Sequence, residues 1–157
     1  MSALELDCSD WRLLKALQGN ARLSNVALSE IVDLSPSQCS RRLQRLEQNN
    51  IIEAYQTQLN SVELGYEVTA FVTVTLDKST SDAIQLFQKN IKSLETVLEC
   101  YSVTGDDDYW LKVIAKNLPE LSDFLTENLG SMPGIKNVSS TIVLNKIKHT
   151  SDIPLPI

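Results

Sequence analysis

The stretch SPSQCSRRLQRLE, Ser35 to Glu47, gathers Arg41, Arg42 and Arg45 with no acid before Glu47. A guanidinium is planar, permanently charged and forked, which suits phosphate oxygens and the edge of guanine; a lysine ammonium is a hydrated point charge. Every arginine in the chain lies before residue 46, and all later positive charges are lysines. Residues 1–50 carry six basic and six acidic side chains and sum to zero, so the formal net charge of −6 resides in residues 51–157. The segregation points to different partners for the two halves, with chance in a small sample as the alternative. A second stretch, VTGDDDYW from Val103 to Trp110, sets Asp106, Asp107 and Asp108 after Gly105. Taken alone it reads as a hairpin turn whose acids face water. Adjacent aspartates rarely converge on one ion, so no metal is expected there.

Other chemistry is sparse. The chain has one histidine, His149, and lacks a Ser/His/Asp set, a phosphate-binding glycine loop and a convincing acid/base pair, so no catalysis is expected. Cys8, Cys39 and Cys100 are odd in number, far apart and without a CxxC pair, which argues against a disulfide framework or a metal site and for a reducing cytoplasm. No apolar run approaches the roughly 18 residues of a membrane helix, and MSALELDCSD has neither the basic nor the apolar region of a secretory signal.

The elements that must position these residues fall into two blocks. In the first, Asp10 is expected to cap a helix to about Leu17, with Trp11, Leu14 and Leu17 on one face. Ser24 is expected to cap NVALSEIV, where Leu28, Ile31 and Val32 fall at helical spacing. After a short break at Asp33-Leu34, Ser35, Pro36 and Gln38 combine an N-cap, a first-turn proline and a capping box. Within this third helix Cys39, Leu43 and Leu46 share one face, while Ser37, Arg41, Gln44 and Arg45 lie opposite and Gln38, Ser40 and Arg42 flank them. Two helices joined by a short turn, the second basic outside, describe a helix-turn-helix. Asn49-Asn50 supplies the next turn, and IIEAYQTQL is expected to form a wing or connecting strand.

In the second block EVTAFVTVTL (67–76) alternates as a half-buried strand, with Val68, Ala70, Val72, Val74 and Leu76 to one side. Residues 79–94 read as a helix carrying Ile84, Phe87 and Ile91 at its apolar spacing. Strands follow at 97–103 and 109–115, then a helix at 118–129 with Leu121, Phe124, Leu125 and Leu129 inward, and a last strand at 138–148. The order βαββαβ is ferredoxin-like, and the boundary is expected around Gly65. The chain is thus an α+β protein, divided into 1–60 and 61–157.

The sequence resembles the Lrp/AsnC, or feast/famine, transcription regulators nearly end to end. The resemblance rests on LDCSDWRLLKALQGNARLSNVALSEIVDLSPSQCSRRLQRLE, ECYSVTGDDDYWLKV and MPGIKNVSSTIVLNKIKHTSDIPL, in the family's order and at its separations. It implies an N-terminal winged helix-turn-helix that binds double-stranded DNA and a C-terminal RAM-type domain that senses a small effector, often an amino acid. It also implies homodimers that assemble further, commonly to octamers, with no cofactor. The chain departs from the family's pattern at Asn50, where glycine is frequent, and at Gly105-Asp106-Asp107-Asp108, where Gly-x-Tyr-Asp is frequent.

Position along the third helix assigns roles on DNA. Ser37, Gln38 and Arg41 lie toward the N-terminal end that reaches base edges, while Ser40, Arg42 and Arg45 suit phosphates, with Ser35 and Gln44 completing the face. The alternative is that the arginines pair with Glu47 or with acids of the first helix. The resemblance places the effector at Tyr101, Val103, Thr104, Gly105, Asp106, Asp107 and Asp108, with residues near Thr141 supplied by a facing dimer. Asp108 corresponds most closely to the acid that would meet an ammonium group, and three successive aspartates are expected to disfavour acidic effectors and tolerate neutral or basic ones. Two competing readings are a DNA-wrapping architectural protein without an effector and, through the same architecture, a siroheme-decarboxylase-like enzyme.

Overall fold

The first helix, α1, spans Cys8–Gly19 and is capped by Asp7 rather than Asp10, the cap expected from the sequence. Asp7 accepts a hydrogen bond from the Asp10 N–H at 2.9 Å, and Asp10, one turn in, accepts from the Asp7 N–H at 3.1 Å. The pair closes a capping box that satisfies two otherwise orphaned donors. The computed structural model describes residues 4–77 and 82–156. The chain forms two compact units, one of Met1–Gln58 with Lys148–Ile157 and one of Leu59–Ile147.

In the first unit α2 covers Asn25–Val32 behind its Ser24 cap, and Asp33 ends it in the left-handed region at φ 58°. The helix α3, Pro36–Gln48, starts as its sequence predicts: Ser35 accepts from the Gln38 N–H, Gln38 reaches back, and Pro36 stands in the first turn. Its end is turned by Asn50 at φ 54°, a conformation asparagine tolerates. The core joins Leu13, Leu28, Val32 and Cys39, with Leu17, Leu23 and Leu43 packed around them. Leu13 replaces Trp11 and Leu14 as the inward residue of α1, with Ala16 and Leu17 packed beside it at i+3 and i+4. Ile31, expected inside, is exposed.

The expected wing strand over 51–59 is absent from the described structure: these residues carry no strand, since a β-prone segment needs a ladder partner to become one. Tyr55 instead ties the segment to α3, donating to Glu47 Oε1 at 2.8 Å. Burial and this bond push its hydroxyl pKa up to about 12. The last residues, assigned by sequence to 61–157, group with the first unit from Lys148 onward, and Gln18 Nε2 donates to the Ile153 carbonyl at 3.2 Å.

The second unit contains β1 (Val68–Leu76), α4 (Ala83–Ile91), β2 (Val97–Ser102), β3 (Tyr109–Ala115), α5 (Leu118–Asp123) and β4 (Ile135–Ile142). All strand pairs are antiparallel in the order β2-β3-β1-β4, the order a βαββαβ chain produces. Ala70, Val72, Val74 and Leu76 of β1, with Leu111 and Val113 of β3, bury one face against Phe87 and Ile91 of α4, Leu121 of α5, and Phe124 and Leu129 beyond it.

Three expectations shift. The inward spacing of α4 runs through Ala83, Phe87 and Ile91, leaving Ile84 exposed; residues 79–81 of the expected helix lie outside the described residues. The helix expected over 118–129 widens after Asp123 into a π-helical segment, Phe124–Leu129. The last strand ends at Ile142 rather than 148, since its partner β1 begins at Val68. Among the described residues no helix is long and apolar enough to cross a membrane.

Candidate nucleic-acid interface and effector loop

The arginines of α3 are not equivalent. Arg42 Nη1 donates to Asp7 Oδ2 at 2.7 Å and to Asp10 Oδ1 at 2.8 Å. Arg45 Nη2 donates to Asp10 Oδ2. Asp10 is completely buried, so its charge depends on these partners, and together they clamp α3 to the start of α1. The Asp10 N–H and the Arg42 guanidinium hold the Asp7 carboxyl below its ordinary value, and both acids push the Arg42 guanidinium upward. Arg41, in contrast, is exposed and has no ion-pair partner among the described residues. Arg42 and Arg45, assigned to phosphates from the sequence, are thus each paired with acids at the start of the first helix.

The hydroxyls and amides also divide. Ser35 and Gln38 serve the cap, with Ser35 N–H donating to Gln38 Oε1 at 2.9 Å and Gln38 N–H to Ser35 Oγ at 3.3 Å. A bond from a base to Gln38 Oε1 would have to displace this one. Ser37 lies 3.1 Å from Ser35 through their hydroxyl oxygens, and both are exposed. Gln44 is exposed and Ser40 half-buried. Ser37, Arg41 and Gln44 are exposed on this helix.

The loop between β2 and β3, the candidate effector loop, is fastened to the sheet. Val103 N–H donates to the Asp108 carbonyl at 3.0 Å, and Asp108 N–H to the Val74 carbonyl at 3.0 Å. Asp108 Oδ2 accepts from the Leu76 N–H at 2.8 Å, and Asp107 Oδ1 accepts from Thr75 Oγ1 at 3.3 Å. Two of the three aspartates therefore organise the turn rather than simply facing water, while Asp106 and Thr104 are exposed at its tip. Gly105 adopts φ 121°, which a side chain would strain.

The sheet face away from the helices remains open. Tyr101 pairs with Trp110, Trp110 with Thr73, and Thr73 with Ser139, which makes one row across four strands. The next row runs Glu99, Lys112, Phe71 and Thr141. Lys112 Nζ donates to Glu99 Oε1 at 2.6 Å, and Tyr101 OH donates to Glu99 Oε2 at 2.9 Å. The carboxylate raises the Tyr101 pKa. Tyr101 and Thr141 thus sit on opposite edge strands, and one chain does not bring them together. The clamp is the alternative in which the arginines pair with acids of the first helix; its signal is two aspartates three apart at the start of α1 and two arginines three apart in α3.

A three-helix unit with an outward arginine helix, followed by an antiparallel ferredoxin-like unit, defines the class of ligand-responsive DNA-binding regulators. Residues 6–53 match a winged helix-turn-helix DNA-binding domain, and residues 69–153 match the Lrp/AsnC ligand binding domain. The chain belongs to the Lrp/AsnC family of transcriptional regulators. It is 35% identical to the transcriptional regulator AzlB of Bacillus subtilis over 96% of both chains. Against the Bkd operon transcriptional regulator of Pseudomonas aeruginosa it is 36% identical over 96% of this chain and 99% of the relative. Among solved structures, a transcriptional regulator from Neisseria meningitidis in complex with L-Met superposes with a TM-score of 0.93 at 38% identity, covering 97% and 98% of the two chains. AsnC of Escherichia coli gives 0.87 at 27% identity, covering 96% and 100%.

Proposed function

We propose that this regulator reads double-stranded operator DNA through α3 and changes its DNA affinity when a neutral amino acid, methionine foremost, binds at the β2–β3 loop. The observation that carries the reading is the tandem match of a DNA-binding and a ligand-binding domain, joined to the L-Met complex of the N. meningitidis relative. Ser37, Arg41 and Gln44 face the duplex, and Arg41 is the principal base reader. Tyr101, Val103 and residues 104–108 line one side of the effector site, and Thr141 of a facing dimer lines the other. This is consistent with the two lying on opposite edges of the sheet.

The open face with Phe71, Tyr101 and Trp110 fits a homodimer, and further assembly to an octamer would complete each effector site. Residues 1–60 form the DNA-binding part and the rest the sensing part, with the segment after Lys148 serving the former. The protein acts by binding rather than catalysis and works in the cytoplasm.

Calorimetry with methionine, leucine, lysine and glutamate, followed by DNA titration with and without the tightest binder, tests the reading. Methionine or leucine should bind best and glutamate worst, and DNA affinity should move with the binder. Binding by none of them, with DNA affinity unchanged, would favour an architectural protein. Arg41→Ala should cost about 1–3 kcal/mol on a preferred duplex and relax base preference, measured by anisotropy titration.

A further inference from the structure

We infer that Asp7 and Asp10 set the DNA specificity of this protein by holding Arg42 and Arg45 out of phosphate binding. The inference rests on α3 being the DNA face. Three arginines line that helix, yet two carboxylates stand among them, so the cluster presents one net positive charge rather than three. Asp7 lies where DNA would approach: Asp7, Arg41, Arg42 and Arg45 line one open recess of about 330 Å³. The Asp7 side chain is 54% exposed there, while Arg42 is 23% exposed. A phosphate entering the recess meets the Asp7 carboxylate and must displace it, at 2.7 Å, to gain Arg42 Nη1.

This arrangement acts on one component of DNA affinity more than the other. Phosphate contacts supply the sequence-independent, salt-sensitive part of binding, and base contacts supply discrimination. Neutralising Arg42 and Arg45 lowers the first while leaving Arg41 outward for the second, so the ratio of preferred to random DNA rises. The two acids also divide the work. Asp10, buried, is the positioning residue that fixes both guanidiniums against α1. Asp7, half in water, is the charge an incoming phosphate feels.

The test uses the full-length protein, a mixed-sequence duplex and a duplex enriched from a random pool by the wild type, each titrated across a salt series. Asp7→Asn keeps the helix cap, since asparagine caps as well as aspartate, and Asp7→Ser repeats the experiment with a different capping oxygen. Both variants should bind the mixed duplex more tightly. Their plot of log affinity against log salt should steepen by about 0.9, equivalent to about a threefold larger gain on a fourfold salt dilution. Preference for the enriched duplex should fall. Adding Arg42→Ala to Asp7→Asn restores the wild-type cluster charge and should restore the wild-type slope, a reversal that mere loosening of α1 would not give. If Asp7→Asn and Asp7→Ser keep the wild-type slope while Arg41→Ala weakens binding, the inference is overturned and α3 remains the DNA face. If Arg41→Ala also changes nothing, α3 is not the DNA face and both fall.

Discussion

The two units handle charge differently. In the first, the buried charged side chain is Asp10, held between Arg42 and Arg45 and sharing Arg42 with Asp7. In the second, the ion pair Lys112–Glu99 lies on the open sheet face, with the two side chains 21% and 39% exposed, and the buried residues beneath the sheet are apolar. The difference follows from what each unit has to bury. A three-helix unit with a few leucines, a valine and a cysteine at its centre gains orientation from a polar clamp. A four-stranded sheet backed by Phe87, Leu121, Phe124 and Leu129 gains it from packing.

The comparison breaks first at the clamp. Removing both guanidiniums by Arg42→Ala and Arg45→Ala leaves the Asp10 carboxylate buried and unpaired, at an expected cost of about 3–5 kcal/mol. Urea unfolding followed by circular dichroism measures it, and a loss near zero would mean that the clamp is ornamental to the fold. Asp108→Ala comes next. It takes the acceptor from the Leu76 N–H and should cost about 1–3 kcal/mol, with faster amide exchange at Leu76 as the local signature. Glu99→Gln should be smaller, within about 1 kcal/mol, because its ion pair with Lys112 is partly solvated. A cost as large as the clamp's would erase the contrast between the units.

The finest test is acid titration of Asp7. Its carboxyl is held below the ordinary 3.8 by the Asp10 N–H and then by Arg42, so its stabilising contribution is complete above 3.8. That contribution is lost as pH falls through the lower folded value. The carbon-13 carboxyl shift of Asp7 should report a midpoint below 3.8, moved upward by Arg42→Ala.

What the sequence made legible was local or periodic. Ser35, Pro36 and Gln38 begin α3 because cap, proline and capping box act within one turn, and Asn50 reports its own backbone conformation. The alternation of β1 specified which of its faces is buried, and the order of elements allowed the antiparallel sheet to be anticipated. Interactions across tens of residues were not legible. Arg42 and Asp10 read first as a DNA contact and a helix cap, with pairing to an acid of the first helix as the alternative, and tertiary packing brings them to 2.8 Å. The β-prone segment after Asn50 illustrates the converse: propensity without a partner strand left it irregular. Within the loop, Asp107 looked equivalent to Asp106, and only the resemblance set Asp108 apart, until β1 supplied donors to Asp107 and Asp108. Ile84 lost its expected place to Ala83, since the helix turned its inward face by one residue once Phe87 and Ile91 were seated.

The return of the chain from Lys148 to the first unit bears on biosynthesis. Residues 4–58 emerge from the ribosome first, yet the segment that joins them through the Gln18–Ile153 bond is translated only after the whole of the second unit. Synthesis proceeds at roughly 5–20 residues per second, so the nascent helical unit waits several seconds for its final strand of chain. Over that interval the sensing unit can fold while the arginine-bearing unit is still unfinished.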